Sequence, residues 1–297
     1  MRRPARPGAP EGGLAIDKPA GLTSHDVVAA VRRALGQPRV GHTGTLDPLA
    51  TGVLLLLLGR ATRLAQYLST ADKTYLATIA FGQATSTYDA AGAPVGPASP
   101  DAVDAAALDA ALAGFSGRFE QVPPAVSAKK VQGTRAYALA RQGQPAPLAP
   151  VEVEVSRLDL VAFDGRQAQV RVTASAGFYV RSLAHDLGQR LGTGAHLTGL
   201  RRERSGAFGL DACVPLDRLV TDPAAAAPAV TPMAALLADW PSARLSPAEC
   251  EQVRRGQAVA RDGAGGPERV ALLDTDGGLV GVGRRGAGVL HPVLVLV

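Results

Sequence analysis

The chain has 297 residues and a formal net charge of +5, from 31 basic and 26 acidic side chains. Its hydrophobic content of 46% excludes a disordered chain and favours a large globular domain with a small one attached. The sequence contains no apolar run of membrane-spanning length and no signal-peptide pattern, so we expect no membrane association and a cytoplasmic location. Its two cysteines lack CxxC spacing and are expected to be reduced thiols.

The basic charge is carried almost entirely by arginine; the lysines are Lys18, Lys73, Lys129 and Lys130. Arginine suits RNA because its planar guanidinium forks onto phosphate and stacks on bases. An arginine-, alanine- and glycine-rich composition also arises from a GC-rich coding bias. The charge therefore supports a nucleic-acid partner without establishing one.

The first elements are a tail, a strand and a helix. Residues 1–12 are rich in proline, glycine and arginine and predict a mobile tail, and residues 14–16 begin a short strand. Thr23 and Asp26 have the spacing of a capping box, which predicts a helix that Gly36 ends.

The loop at residues 41–52, GHTGTLDPLATG, presents a single carboxylate, Asp47, among glycines, threonines and a proline. The six apolar residues VLLLLL follow at once and indicate a buried strand or helix segment. Glycine lets the backbone adopt angles that other residues avoid, and proline fixes its own φ. The loop is also anchored directly to the core, so the acid would be held accurately, as a catalytic group must be.

Other interpretations of this loop fit less well. A phosphate-binding loop would end in Lys-Ser or Lys-Thr, and this one does not. His42 and Asp47 could bind a metal, but no further ligand residue lies at the right spacing. An isolated Asp-Pro pair is most often a simple turn.

The whole string GHTGTLDPLATG resembles, nearly residue for residue, the active-site motif of the bacterial tRNA pseudouridine synthases of the TruB family. DKPAGLTS at residues 17–24 resembles the first motif of that family. The resemblance implies an α+β pseudouridine synthase fold, with a mixed, largely antiparallel sheet, flanking helices and a central cleft. It makes Asp47 the nucleophile, His42 the residue that fills the gap left by a flipped base, and Lys18 a charge partner near the site.

The next segments extend the resemblance. Residues 74–81 read as a strand. Tyr75 would ordinarily be a half-buried strand tyrosine, but the resemblance makes it the aromatic ring that stacks on the target uracil and a candidate base for the proton lost late in the reaction. TSTYDAAG at residues 85–92 resembles a further family stretch, in which Asp89 would hold neighbouring arginines. Residues 106–112 predict an alanine-rich helix.

Residues 120–149 mix prolines, glycines and basic residues, which favours a segment that orders against RNA. A solvated surface excursion is the alternative. VPPAVSAKK, at residues 122–130, also resembles the family, in which the matching insertion closes over the T loop of tRNA.

Residues 151–155 and 169–173 alternate apolar and polar side chains and predict two strands, with a hairpin turn at residues 164–166. A helix is expected to follow Gly177 and to end at Gly192.

Arg181 and Tyr179 lie near the start of that helix. An arginine there is usually a surface cation. The resemblance instead makes Arg181 the ion-pair partner of the catalytic carboxylate and Tyr179 a pocket wall. HLTGLRR, at residues 196–202, resembles the last family motif, with Leu200 packing against the base.

The predicted catalytic domain covers residues 13–221, and the resemblance thins past Asp211. Residues 222–239 read as a linker, and residues 240–297 contain short apolar strands that resemble the PUA-type RNA-binding module, a small β-barrel. GVGRRG at residues 281–286 matches the dinucleotide pattern GxGxxG, but a strand rather than a helix is predicted after it, so we reject that match.

These patterns predict a tRNA pseudouridine synthase, an isomerase that converts the T-loop uridine at tRNA position 55 through base flipping and a covalent intermediate on Asp47. Attack on the ribose C1′ and attack on the uracil C6 both stay open. The resemblance implies no metal or organic cofactor, a monomer without a protein partner, and the T arm of tRNA as the partner. A non-catalytic RNA-binding or RNA-folding protein on the same scaffold, or a synthase for another uridine or an rRNA site, is the alternative.

Overall fold

The computed structural model describes residues 8–99, 101–127, 130–131, 134–135, 148–261, 268–286 and 288–296. The helices of these residues are α1 (Ser24–Leu35), α2 (Ala65–Leu68), α3 (Ala105–Ala113), α4 (Val180–Arg190), α5 (Leu216–Thr221) and α6 (Pro247–Arg254). The strands are β1 (Gly12–Lys18), β2 (Val40–His42), β3 (Thr51–Leu58), β4 (Lys73–Phe81), β5 (Ala84–Thr85), β6 (Pro94–Val95), β7 (Gly117–Gln121), β8 (Lys130–Val131), β9 (Thr134–Arg135), β10 (Val151–Phe163), β11 (Gln167–Ala174), β12 (Ala195–Ser205), β13 (Phe208–Gly209), β14 (Val214–Pro215), β15 (Ser242–Arg244), β16 (Val259–Ala260), β17 (Arg269–Leu273), β18 (Leu279–Gly286) and β19 (Val289–Val295). None of these helices is both long and apolar enough to cross a bilayer.

A ten-stranded sheet forms the body of the molecule, in the order β14-β1-β3-β12-β4-β11-β10-β7, with β13 beside β12 and β2 beside β3. Its strand pairs are antiparallel except for β1 with β14 and β3 with β12. Helices α1 and α4 contribute side chains to the hydrophobic core of this sheet. The α+β fold with a mixed, largely antiparallel sheet is therefore confirmed.

The leucine run after the Asp47 loop is strand β3, which is buried on both faces. Leu54, Leu56 and Leu58 belong to the main core, whereas Leu57 belongs to a second cluster shared with the C-terminal residues. Successive side chains of a strand point to opposite faces, so a strand covered on both sides is apolar at every position. The run is unbroken for that reason.

Helix α1 begins and ends where its sequence predicts. The Thr23 hydroxyl accepts a hydrogen bond from the Asp26 amide at 3.1 Å, and the Asp26 carboxylate accepts one from the Thr23 amide at 2.9 Å. Gly36 ends the helix in the left-handed region, at φ 60°. The capping box is confirmed, and Ser24, the first residue of α1, is hydrogen-bonded to Leu46 of the Asp47 loop.

Part of the predicted mobile tail is held against the body. Gln37 donates to the Pro10 carbonyl at 3.1 Å, and the Glu11 carboxylate pairs with Arg60 at 2.7 Å. Strand β1 then begins at Gly12. Residues 1–7 of the predicted tail lie outside the described residues.

The C-terminal residues form a separate five-stranded sheet in the order β15-β17-β18-β19-β16, which is curled into a half-barrel. Its own core includes Leu245, Val253, Leu272 and Leu290. This architecture fits the expected PUA-like module. The GVGRRG stretch lies within β18, which has antiparallel neighbours on both sides, in agreement with the rejection of a dinucleotide loop.

The segment predicted as a linker packs closely against the main sheet. Thr231 exchanges two backbone hydrogen bonds of 2.8 Å with Gly13 in β1. A Cβ atom added to Gly13 would lie only 2.5 Å from the Leu236 side chain. Leu236 and Leu237 join Leu57 in the second core cluster. Because a glycine leaves room for this close approach, the C-terminal module is fastened to the catalytic body through an apolar interface.

Candidate active site

The Asp47 loop and the start of α4 enclose a cavity of about 250 Å³, close to the smallest ligand sites, at roughly 300 Å³. Its lining residues are Thr43, Gly44, Thr45, Leu46, Asp47, Ser69, Lys73, Tyr75, Ser175, Ala176, Gly177, Phe178, Tyr179, Val180, Arg181, Leu200 and Arg202. The structure therefore brings together five of the seven site residues named from the sequence.

Asp47 and Arg181 form a two-point ion pair in this cavity. Arg181 Nε lies 2.8 Å from one carboxylate oxygen, and Arg181 Nη2 donates to the other at 3.2 Å. The Arg181 side chain is 6% exposed and that of Asp47 is 32% exposed, so the arginine is hidden behind an acid that stays open to the cavity. Such a fork fixes the plane of the carboxylate as well as its position.

The segment after β5 holds Arg181 from its other side. Arg181 Nη1 donates to the Thr87 carbonyl at 3.2 Å, and the buried Asp89 carboxylate lies 3.8 Å from Arg181 Nε. The Thr87 hydroxyl donates to Asp89 at 2.5 Å. The expectation that Asp89 holds an arginine is confirmed.

The pKa of the Asp47 carboxyl is raised above its ordinary value of 3.8, chiefly because burial disfavours the charged form and further because the Asp89 carboxylate is near. The Arg181 and Lys18 cations oppose this rise. Poorly solvated but paired with a cation, the ionised carboxylate is suited to attack an electrophilic carbon.

Residues of the first sequence motif support the Asp47 loop from below. The Lys18 side chain is fully buried, and its ammonium donates to the carbonyls of Ala50 at 2.6 Å and Pro48 at 3.4 Å. Burial lowers the pKa of Lys18 to about 8. The Ser24 hydroxyl accepts from the Leu46 amide at 2.8 Å and donates to the Leu46 carbonyl at 3.1 Å. Lys18 thus lies beneath the loop and supports it.

Tyr75, Tyr179 and Leu200 form walls of the cavity. Tyr179 precedes the first residue of α4, and its amide and carbonyl are both bound by the Gln121 side chain, at 2.8 and 3.1 Å. Burial raises the pKa of Tyr179 above its ordinary value. Gln121 fixes the tyrosine but was not identified from the sequence, because a glutamine at a strand end carries no local signal of its partner.

His42 lies at the end of β2, where it pairs with Leu56 of β3, and it does not line the cavity. It is half-buried and directly precedes Thr43, the first lining residue. The structure thus places the histidine at the start of the Asp47 loop and outside the cavity lining.

Sequence reasoning missed two charged cavity residues, Lys73 and Arg202. Both side chains are almost completely buried, at 6% and 1% exposed. The only signals were their places in the chain, two residues before Tyr75 and two after Leu200. Alternation along a strand puts such neighbours on one face.

The described residues contain no group of three or more histidine, cysteine or acidic side chains that could hold a metal ion. Of the predicted RNA-binding insertion at 120–149, residues 128–129, 132–133 and 136–147 lie outside the described residues.

Comparison with known proteins agrees with this geometry. Residues 32–180 match the TruB family pseudouridylate synthase N-terminal domain, residues 181–238 match the tRNA pseudouridylate synthase B C-terminal domain, and residues 241–296 match the pseudouridine synthase II TruB C-terminal family. A tRNA pseudouridine synthase B of Thermobifida fusca (strain YX) is 45% identical over 294 residues, 96% of this chain and 98% of that protein. One from Solibacter usitatus (strain Ellin6076) is 44% identical over 296 residues, 96% of this chain and 100% of that protein.

Solved structures show the same fold. The archaeal box H/ACA sRNP Nop10-Cbf5 complex contains a chain that matches with a TM-score of 0.73 at 26% identity, covering 98% of this chain and 89% of that one. An H/ACA RNP bound to a substrate RNA containing 2′-deoxyuridine matches with the same TM-score and identity, covering 96% and 85%. The chain belongs to the TruB family of tRNA pseudouridine synthases, which are RNA-modifying isomerases.

Proposed function

We propose that this enzyme isomerises the T-loop uridine of tRNA, position 55, through a covalent intermediate on Asp47. The observation that carries the proposal is the Asp47 carboxylate, which opens into the cavity while Arg181 grips both of its oxygens from behind. Opposite charge favours the ionised carboxylate, and the fork aims it.

The target uridine has to leave its stack to reach a recessed carboxylate. Tyr75, Tyr179 and Leu200 offer the flipped base an aromatic and apolar enclosure, since they are cavity walls. His42, which directly precedes the first cavity residue Thr43, would occupy the place that the base leaves in the RNA loop. Lys18 takes no part in proton transfer and supports the Asp47 loop.

The reaction exchanges bonds within one nucleotide. An Asp47 oxygen bonds to the ribose C1′ and displaces the uracil at N1, or it adds to the uracil C6 and the N1–C1′ bond breaks afterwards. The base then turns, its C5 bonds to C1′, and the bond to Asp47 breaks. The proton on C5 leaves and N1 gains one, so the product is an isomer and no electrons are exchanged with a cofactor. Tyr75 is our candidate for the base that removes the C5 proton.

The domains divide the work. We assign chemistry to residues 13–221, a connection to residues 222–239 and RNA binding to residues 240–297, with the insertion at 120–149 closing over the T arm. In the last of these, Arg269 and Arg284 are exposed and directly opposite each other on β17 and β18. Like charges opposite each other destabilise a sheet, so their juxtaposition favours a polyanionic ligand.

The two alternative functions fit less well. A non-catalytic RNA-binding protein would not need the paired Asp47 and Arg181. For a synthase of another uridine or an rRNA site, the relatives at 45% and 44% identity offer no support, since both are named tRNA pseudouridine synthase B. We further propose a monomer that acts on the tRNA pool of the cytoplasm.

The proposal is tested by incubating the purified protein with an unmodified tRNA transcript and mapping pseudouridine at nucleotide resolution. We expect one modified site, uridine 55, and no product when that uridine is replaced by cytidine. Modification at other uridines, or only in rRNA, would overturn the T-loop assignment. Light scattering of the same sample tests whether the protein is a monomer in solution.

A further inference from the structure

Two buried cations, Lys73 and Arg202, line the cavity beside Gly44. Lys73 and Arg202 border the same glycine: a Cβ built on Gly44 would lie 3.5 Å from Arg202 Nη1 and 3.8 Å from Lys73 Cε. Lys73 is two residues before Tyr75 in β4, and Arg202 in β12 is the direct cross-strand partner of Tyr75. Lys73, Tyr75 and Arg202 therefore share one face of the sheet.

Among the residues that the structure describes, backbone carbonyls are the hydrogen-bond partners of both cations. The Lys73 ammonium donates to the Ser69 and Ala71 carbonyls, each at 2.6 Å. Arg202 donates to the Val53 carbonyl at 2.6 Å and to the Gly44 carbonyl at 3.1 Å. An ammonium has three donors and a guanidinium five, so each cation has donors left for a ligand.

The charge of this corner is not balanced by the protein. Within the described part of the chain, Arg181 pairs with Asp47 and Asp89, whereas Lys73 and Arg202 have no carboxylate within ion-pair distance. A buried cation without an anion is costly, and such a cost is retained where a ligand supplies the missing charge. Burial and the Arg202 cation lower the pKa of Lys73 to about 8, against a smaller opposing influence of Asp72.

We propose that Lys73 and Arg202 form a subsite for the phosphodiester group next to the target uridine. A nucleotide whose base stacks on Tyr75 carries its phosphates along the same face of the sheet, toward the two cations. An RNA backbone always brings this anion with it, whichever base is flipped. The subsite would fix the register of the flipped nucleotide by its backbone and leave recognition of uracil to the other residues of the cavity. This inference rests on the proposed placement of the target uridine in the Asp47 cavity.

The test is a double-mutant cycle between protein and RNA. T-arm stem-loops carry one uncharged methylphosphonate linkage, either 5′ or 3′ of the target uridine, and binding to wild type and Lys73→Met is measured from the concentration dependence of single-turnover rates. Lys18→Met is the matched control, because Lys18 is also a buried lysine bound by carbonyls, with its pKa likewise lowered to about 8, but it does not line the cavity.

We expect Lys73→Met and one of the two methylphosphonates each to weaken binding about tenfold or more. The two changes together should weaken binding no further than one alone, since the same contact is lost twice. In the Lys18→Met control, the effects of the substitution and of the methylphosphonate on binding should multiply.

Two results would overturn the phosphate subsite: multiplying effects with Lys73→Met for both linkages, or unweakened wild-type binding of both methylphosphonates. The second does not require a folded variant. Wild-type turnover on the unmodified stem-loop is the reference in each case, so a failure of the T-loop assignment itself would be recognised by the absence of pseudouridine there.

Discussion

Arg181 of helix α4 and Asp47 of the loop before β3 meet through two nitrogen–oxygen contacts, of 2.8 and 3.2 Å, although 134 positions separate them in the chain. The arginine is buried, and the acid opens into the cavity. The pair therefore decides both the direction in which the carboxylate points and the pH range in which it is ionised.

Replacing Arg181 by glutamine should move the acid limb of the pH–activity profile to higher pH. The proposed reaction needs ionised Asp47, whose pKa is already raised by burial, and Arg181 is the main influence that lowers it. Activity is lost as pH falls through this pKa, so removing the cation shifts the loss upward. The rate at neutral pH should also fall by one to two orders of magnitude, because a charge-assisted hydrogen bond is lost.

Arg190→Gln is the matched control for that profile. Arg190 ends the same helix, donates to the Ala111 carbonyl and stacks on Phe115, away from the cavity. Its variant should keep the wild-type acid limb. An unchanged limb in Arg181→Gln would show that Asp47 does not act as an ionised group.

Replacing Asp89 by asparagine should shift the acid limb of the pH–activity profile in the opposite direction to Arg181→Gln. The Asp89 carboxylate raises the pKa of Asp47, and the amide keeps an oxygen that can accept from Thr87. We expect the acid limb of single-turnover rates to move to lower pH than in wild type. A shift to higher pH would mean that Asp89 acts mainly by positioning Arg181, rather than by its charge.

Leu57→Ala should destabilise the folded protein by about 2–5 kcal/mol. Leu57 is fully buried in the interface between the main sheet and the C-terminal module. Val161→Ala, which alters a side chain that is 44% exposed, should change the free energy of unfolding by no more than about 0.5 kcal/mol. Urea denaturation measures the free energy of unfolding of both variants. If Leu57→Ala lost as little as Val161→Ala, the interface would not be packed as described.

The double variant Arg269→Gln/Arg284→Gln should bind full-length tRNA several-fold more weakly and with a shallower salt dependence, because fewer phosphates are neutralised. Binding of a T-arm stem-loop too short to reach the module, and turnover at saturation, should stay as in wild type. Arg157→Gln, an exposed arginine of β10 paired with Asp159, serves as the charge control. Equal tRNA affinity and salt slope for the double variant would argue against an RNA-binding role for this surface.

Much of the fold could be predicted from local patterns. The capping box of α1 and the alternation in β10 and β11 depend on neighbours in the chain, so the sequence contains the whole signal. The packed connection at residues 222–239 could not be predicted in this way. Its alanines and prolines resemble a linker, whereas its packing depends on contacts of Thr231 and Leu236 with Gly13, more than two hundred positions away.

The residues of the candidate site likewise fall into those that the sequence predicted and those that it did not. Asp47, Tyr75, Arg181 and Leu200 were identified because they lie in recognisable motifs. Lys73 and Arg202 lie next to those motifs but acquire a shared role only when β4 and β12 pair, and a single sequence does not reveal that register.

The most direct test of the account is single-turnover pseudouridine formation by Asp47→Asn on unmodified tRNA, beside the exposed-carboxylate control Asp109→Asn. The amide keeps the shape of Asp47 but removes its charge and nucleophilicity. We predict no pseudouridine at position 55, tRNA affinity within a few-fold of wild type, and normal turnover by the control. Pseudouridine formation by Asp47→Asn, after exclusion of contaminating host enzyme, would contradict the assignment of Asp47 as the nucleophile.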